Sequence, residues 1–157
     1  MIHVSEKVQV LLKRGVAIPR PSTIHIDHAV DISRLSHDIT IHPGCRITGK
    51  TTSIGPGCVI GEEGPVTLAD CQLADNVTLK GGSFSGAVFL SDARVGPCAH
   101  VREATILEEQ ASCAHAVGLK QTILMPYVTL GSLVNFCDCL MAGGTGRKNH
   151  SEIGSSY

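Results

Sequence analysis

Five apolar residues stand six apart in one unbroken run: Val95, Val101, Leu107, Cys113 and Leu119. Four positions after each come Ala99, Thr105, Ala111, Val117 and Ile123, mostly small or β-branched. A period of six fits neither the 3.6 of a helix nor the 2 of a simple strand. It arises where a short strand alternates with a corner, which is the signature of a parallel β-helix. The pattern resumes one residue early at Leu124, Leu130 and Phe136, with Val128, Val134 and Leu140 in the second slot. Upstream, Ile41 and Ile47 pair with Cys45 and Thr51, Ile54 and Ile60 with Cys58 and Gly64, and Leu73 and Leu79 with Val77 and Ser83. Ile26 and Ile32 begin the series with Val30 and Ser36.

In such a coil the large and the small residue point inward, and each coil buries its inner face only by stacking on the next, so the core is a column. Glycine and proline make the corners, as in Ile54-Gly55-Pro56-Gly57-Cys58 and Val95-Gly96-Pro97-Cys98-Ala99. The 17 Gly and 7 Pro suit this architecture and disfavour a bundle of long helices. The start of the chain reads differently. Ser5 is placed as an N-cap, Val8, Leu11 and Leu12 share a helical face, and Gly15 stops the helix. Pro19 and Pro21 then mark a linker, which gives residues 1–21 as helix and linker and residues 22–157 as the repeat domain. Ser151 to Tyr157 resembles the opening of another hexad, so the column is expected to continue, or to be capped, beyond 157.

Composition narrows the partners. Lys+Arg total 13 and Asp+Glu 14, a net charge of -1 that provides no general attraction to nucleic acid or to an anionic membrane. Aromatic residues are 3% of the chain, too few for base-stacking platforms. Charged residues are 17%, below the roughly 25% of typical soluble domains, which is the surface of an oligomer. Val8 to Leu12 is too short for a signal sequence, and the region from Gln121 to Cys137 is interrupted by Pro126, Gly131 and Asn135. Seven cysteines without a leader read as reduced thiols, so the expected location is cytoplasmic.

The pattern of an aliphatic residue, Gly, two variable residues and a small residue resembles the hexapeptide-repeat acyltransferases. More narrowly, Val95-Gly96-Pro97, His100-Val101-Arg102 and Val117-Gly118-Leu119-Lys120 resemble the acetyltransferase half of the bifunctional UDP-N-acetylglucosamine pyrophosphorylase / glucosamine-1-phosphate acetyltransferase family. The resemblance implies a left-handed all-β helix, a homotrimer, and a phosphorylated or nucleotide sugar bound between subunits. It also implies acetyl-CoA as co-substrate, held by later coils that lie outside this chain, and no metal.

Arg102 and Lys120 each follow an inward residue and are three hexads apart. If a coil takes three hexads, as the family does, they lie one above the other, and a shared phosphate would relieve their repulsion. The resemblance assigns both to the sugar phosphate. Where the family carries its catalytic His and a sugar-contacting Tyr, the alignment puts Phe136 and Cys139, and neither replaces an imidazole base. Beyond Leu140 the repeat breaks into a Gly-rich loop with a basic tip. Arg147 and Lys148 are the further candidates for binding a neighbouring subunit's phosphate, and His150 is the candidate base. Cys98, His100, Cys113, His115, Cys137 and Cys139 lack converging zinc spacing and read as core or wall residues. Two functions follow: an acetyltransferase acting on an amino-sugar phosphate, or a non-catalytic trimeric scaffold or ligand sensor that kept the cations and lost the base.

Overall fold

Three parallel sheets wound from one chain form the walls of a column, in a computed structural model that describes residues 4–154. Sheet I stacks His25–Ile26, Arg46–Thr48, Val66–Ala69, Gly82–Ser85, Ala99–Val101, Gly118–Lys120 and Asn135–Cys137. Sheet II stacks Ser53–Ile54, Gln72–Leu73, Ala87–Phe89, Thr105–Leu107, Ile123–Leu124 and Leu140–Met141. Sheet III stacks Thr40–Ile41, Val59–Ile60, Thr78–Leu79, Arg94–Val95, Ser112–Cys113, Thr129–Leu130 and Glu152–Ile153. This is the left-handed parallel β-helix of hexapeptide repeats, all-β apart from one short N-terminal α-helix and two 3-10 turns.

The hexads build it as expected over much of their length. Val101 pairs with Leu119, and Val95 with Cys113, so one coil takes three hexads there. Inward residues from Ile26 to Leu130 form one continuous buried core. It holds two aromatic rings, Phe84 and Phe89, both fully buried and packed edge to face with centroids 5.8 Å apart. Corners close in the left-handed backbone region even at non-glycine residues: Cys98, Ala104, Gln110, Ala116, Gln121, Tyr127 and Leu133 all have φ between 47° and 67°. That strain is spread over the column, and each corner is held by backbone bonds to the coil beside it, such as Ala116 N to Pro97 O at 2.9 Å.

Several hexad assignments change. The short coil arises at Lys120–Gln121, one residue tighter than the corner Arg102–Ala104, because Gln121 already turns left-handed at φ 47°. The second slot is therefore filled by fully buried Thr122, whose hydroxyl donates to Lys120 O at 2.9 Å, while Ile123 turns outward. Leu140 likewise faces out and is 65% exposed. Upstream, Thr52 is buried in place of Thr51 and bonds Thr48 O, and Leu35 is buried in place of Ile32.

The helix, Glu6–Lys13, closes the first coil. Ser5 Oγ caps it by accepting from Val8 N, and Gly15, at φ +93°, takes the left-handed conformation that ends it. Val8 and Leu11 enter the core, but Leu12 is 38% exposed because it lies off that face. Lys7 donates to the carbonyls of Asp27, His28 and Val30, and Arg14 to those of Ile32 and Leu35, which satisfies the open end of the column. Among the described residues, no helix is long and apolar enough to cross a membrane.

Candidate functional site

Arg102 and Lys120 occupy equivalent positions on neighbouring coils. The register His100↔Gly118, Val101↔Leu119 carries one residue further to set Arg102 beside Lys120, and Arg102 N donates to Leu119 O at 2.8 Å. Strands so paired are about 4.8 Å apart, so two cations emerge from one edge between sheets I and II. Lys120 Nζ lies 3.9 Å from Glu103 Oε1, with both side chains solvent-accessible at 31% and 61%. A pair of that kind contributes less than about 1 kcal/mol. The Arg102 guanidinium has no hydrogen bond or ion pair among the described residues.

Beside Arg102 the outer face of sheet I is hollowed into a cleft of about 270 Å³. Its floor is Gly118, in register between His100 and Asn135, and the missing side chain makes the hollow. A Cβ there would stand 2.5 Å from Asn135 Oδ1, so the Asn135 amide already leans over the glycine. Cys98, Ala116 and Leu133 form one rim, all three from left-handed corners, and Leu133 is 75% exposed. The cleft thus offers a guanidinium, an amide, an imidazole and an apolar lip. Of these, only Arg102 stood out in the sequence as a ligand residue. Gly118, Asn135 and Leu133 belong to the repeat, and their convergence depends on the register of three coils.

The other candidates lie elsewhere. The loop between Met141 and Glu152 returns to sheet III, where Thr129 pairs with Glu152. Arg147 reaches down its own wall, donating to Gln110 O and to Thr129 Oγ1 at 3.5 Å. Lys148 is exposed at the loop tip. His150 is tucked beneath the loop, its side chain 17% exposed, with Nε2 3.5 Å from Glu152 Oε2 and Nδ1 buried without a hydrogen-bond partner. Phe136 packs partly buried against the core above Leu119, and exposed Cys137 stacks on Lys120. His115, read in the sequence as wall packing, is exposed, and its Nδ1 lies 2.6 Å from Ser132 Oγ.

All seven cysteines are free, and Cys45, Cys58, Cys71 and Cys113 are buried. Burial pushes the Cys58 and Cys71 thiols up to about 11 and that of Cys113 up to about 12. They are therefore neutral packing residues at physiological pH. Among the described residues, no three His, Cys, Asp or Glu side chains converge to hold a metal ion.

The three walls of stacked hexapeptide coils define the hexapeptide-repeat class. Within it, residues 29–136 match the model of the GMPPB C-terminal domain, and the chain belongs to that family. Relatives include the bifunctional protein GlmU of Trichlorobacter lovleyi, 33% identical over 156 residues, which covers 91% of this chain and 33% of that protein. GlmU of Thermotoga petrophila is 34% identical over 119 residues (75% of this chain, 25% of that protein). GlmU of Pelobacter propionicus is 35% identical over 115 residues (73% and 24%). The chain spans a third or less of the length of these relatives.

Proposed function

We propose that this chain binds the phosphate of a phosphorylated or nucleotide sugar between Arg102 and Lys120, as part of a trimeric protein related to the sugar-nucleotide acetyltransferases. The observation that carries the reading is the unpartnered Arg102 guanidinium stacked one coil from Lys120 at the mouth of the Gly118 cleft. A phosphate there takes the bidentate fork of Arg102 and the point charge of Lys120. Asn135 and His100 face the sugar hydroxyls, and Leu133 covers its apolar edge.

The assembly reading rests on sheet II. Its outward residues Val88, Ile106, Ile123 and Leu140 are in register on successive coils and form an apolar stripe. Burying that stripe against a second copy sets Arg102 and Lys120 at the interface rim, where a neighbour's loop can complete the site. Lys148 is the cation we assign to that loop. Arg147 is held on its own wall at Gln110 and Thr129, so it leaves the set.

For acetyl transfer, His150 is the base, supplied by the neighbouring loop and oriented by Glu152. The donor would be acetyl-CoA, which supplies the acyl group. A cleft of about 270 Å³ has room for a sugar phosphate alone, so no residue of this cleft is assigned to the coenzyme. A second reading, a scaffold or sensor without turnover, is favoured by Phe136 and Cys137 standing over Leu119 and Lys120 where an acceptor amine needs a base. Acetyl-transfer assays with glucosamine-1-phosphate and other amino-sugar phosphates decide between the two. Turnover lost in His150→Ala supports the enzyme; binding without turnover for every acceptor leaves the sensor.

A further inference from the structure

On sheet III, the wall that does not carry Arg102, a separate open hollow of about 460 Å³ is lined by Asp92, Arg94, Gln110 and Ser112 and, from the folded-back loop, by Arg147. This is the size of a small-molecule pocket. Arg94 and Ser112 are neighbours in the strand register, and Ser112 Oγ lies 3.4 Å from Thr129 Oγ1 on the next coil. Arg147 descends from the loop to the Gln110 carbonyl, so the guanidiniums of Arg94 and Arg147 face one space.

The charges are poorly matched within the chain. Arg94 forms no ion pair or side-chain hydrogen bond among the described residues, while its neighbour Lys80 is already taken by Glu63 at 2.5 Å. Asp92 lines the same cavity without pairing to either arginine. The free Arg94 guanidinium, with Arg147 anchored beside it through Gln110 and Thr129, favours an oxyanion, and the separate carboxylate favours hydrogen-bond donors or an ammonium group. We propose that the Arg94–Arg147 cavity is a second ligand site, for a small compound with a phosphate at one end and hydroxyl or ammonium donors at the other. Occupancy would clamp the loop to the wall through Arg147 and so fix the segment that carries Lys148 and His150.

Trypsin reads this site directly, because Arg147 and Lys148 lie side by side in an exposed loop. Cleavage after Arg147 is followed in the full chain with inorganic phosphate, glucosamine 6-phosphate or malonate added. Glucosamine 6-phosphate should slow cleavage at least fivefold, at a concentration about tenfold below that needed for inorganic phosphate, and malonate should act more weakly than either. The protection should persist in Arg102→Ala and vanish in Arg94→Ala and Arg94→Gln, whose melting temperatures check that they fold. Asp92→Asn should remove the advantage of glucosamine 6-phosphate over phosphate. Absence of protection in the wild-type chain, undiminished protection in both Arg94 variants, or protection lost in Arg102→Ala would each overturn the proposal. Because Arg102→Ala disables the first site only, failure here leaves the Arg102–Lys120 reading intact.

Discussion

Two glycines of sheet I should respond in opposite ways to a single methyl group. At Gly82, φ is +127°, and an added Cβ would meet the Ala99 carbonyl oxygen and stand 2.7 Å from Ala99 N. Both are backbone atoms of the next coil, so relief requires prising two coils apart. Strained backbone costs about 1–3 kcal/mol, and overpacking adds about 1–3 kcal/mol. Gly82→Ala should therefore lose about 2–6 kcal/mol. For a chain of this size, each kcal/mol lowers Tm by about 2–4 °C, so the fall should be roughly 4–24 °C. Gly118 has ordinary backbone, and its Cβ would meet the tip of the exposed Asn135 side chain at 2.5 Å, with Cγ at 3.2 Å. That amide can swing away, so Gly118→Ala should stay within about 1 kcal/mol of the parent. Urea and thermal denaturation of the pair measure both. Equal stability of the two variants would refute the argument that the coil-to-coil contact at Gly82 is rigid.

Other expectations follow from charge and burial. Glu103→Gln frees Lys120 from the one anion it pairs with among the described residues, so affinity for a sugar phosphate should rise by up to about fivefold, as titration calorimetry would register. Thiol labelling of the native protein should reach Cys98 and Cys137 quickly and Cys45, Cys58, Cys71 and Cys113 only on unfolding, which mass spectrometry can map. The same burial fixes a pH dependence. Unfolded thiols ionise near 9.0, whereas Cys58 and Cys71 resist until about 11. Their contribution is complete below pH 9 and declines by about 1.4 kcal/mol per pH unit per thiol up to about 11, so the urea midpoint should drop across that window. Finally, if the sheet II stripe is the proposed trimer seam, Ile123→Glu with Leu140→Glu should leave only monomers by light scattering without unfolding the column.

The column could be read from the sequence because its signal is local. Each hexad repeats the same inward slots, and from Val95 to Leu119 every assigned position is buried. The reading failed where a corner changed length. Losing one residue at Gln121 leaves the spacing of Leu124, Leu130 and Phe136 intact yet exchanges Thr122 for Ile123 in the wall. Phe84 and Phe89 were missed because the coils around them depart from three hexads, with Leu68 pairing to Phe84 across a shortened turn. The site divides in the same way. Arg102 over Lys120 followed from a spacing of three hexads. Gly118, Asn135 and Leu133 join them only through pairing between coils, and the inward fold of Arg147 depends on a loop with no repeat to guide it.

The central claim is that Arg102 and Lys120 act together on one phosphate. Its most direct test is calorimetric titration of N-acetylglucosamine-1-phosphate and UDP-N-acetylglucosamine into the full chain, beside Arg102→Ala and Lys120→Ala. Each substitution removes a charge-assisted contact of about 1.5–3 kcal/mol, so saturable binding in the parent should weaken by roughly 10- to 150-fold in either variant. Binding that is unchanged in both variants, or no heat with either ligand at millimolar concentration, would contradict the account and leave the β-helix as a scaffold.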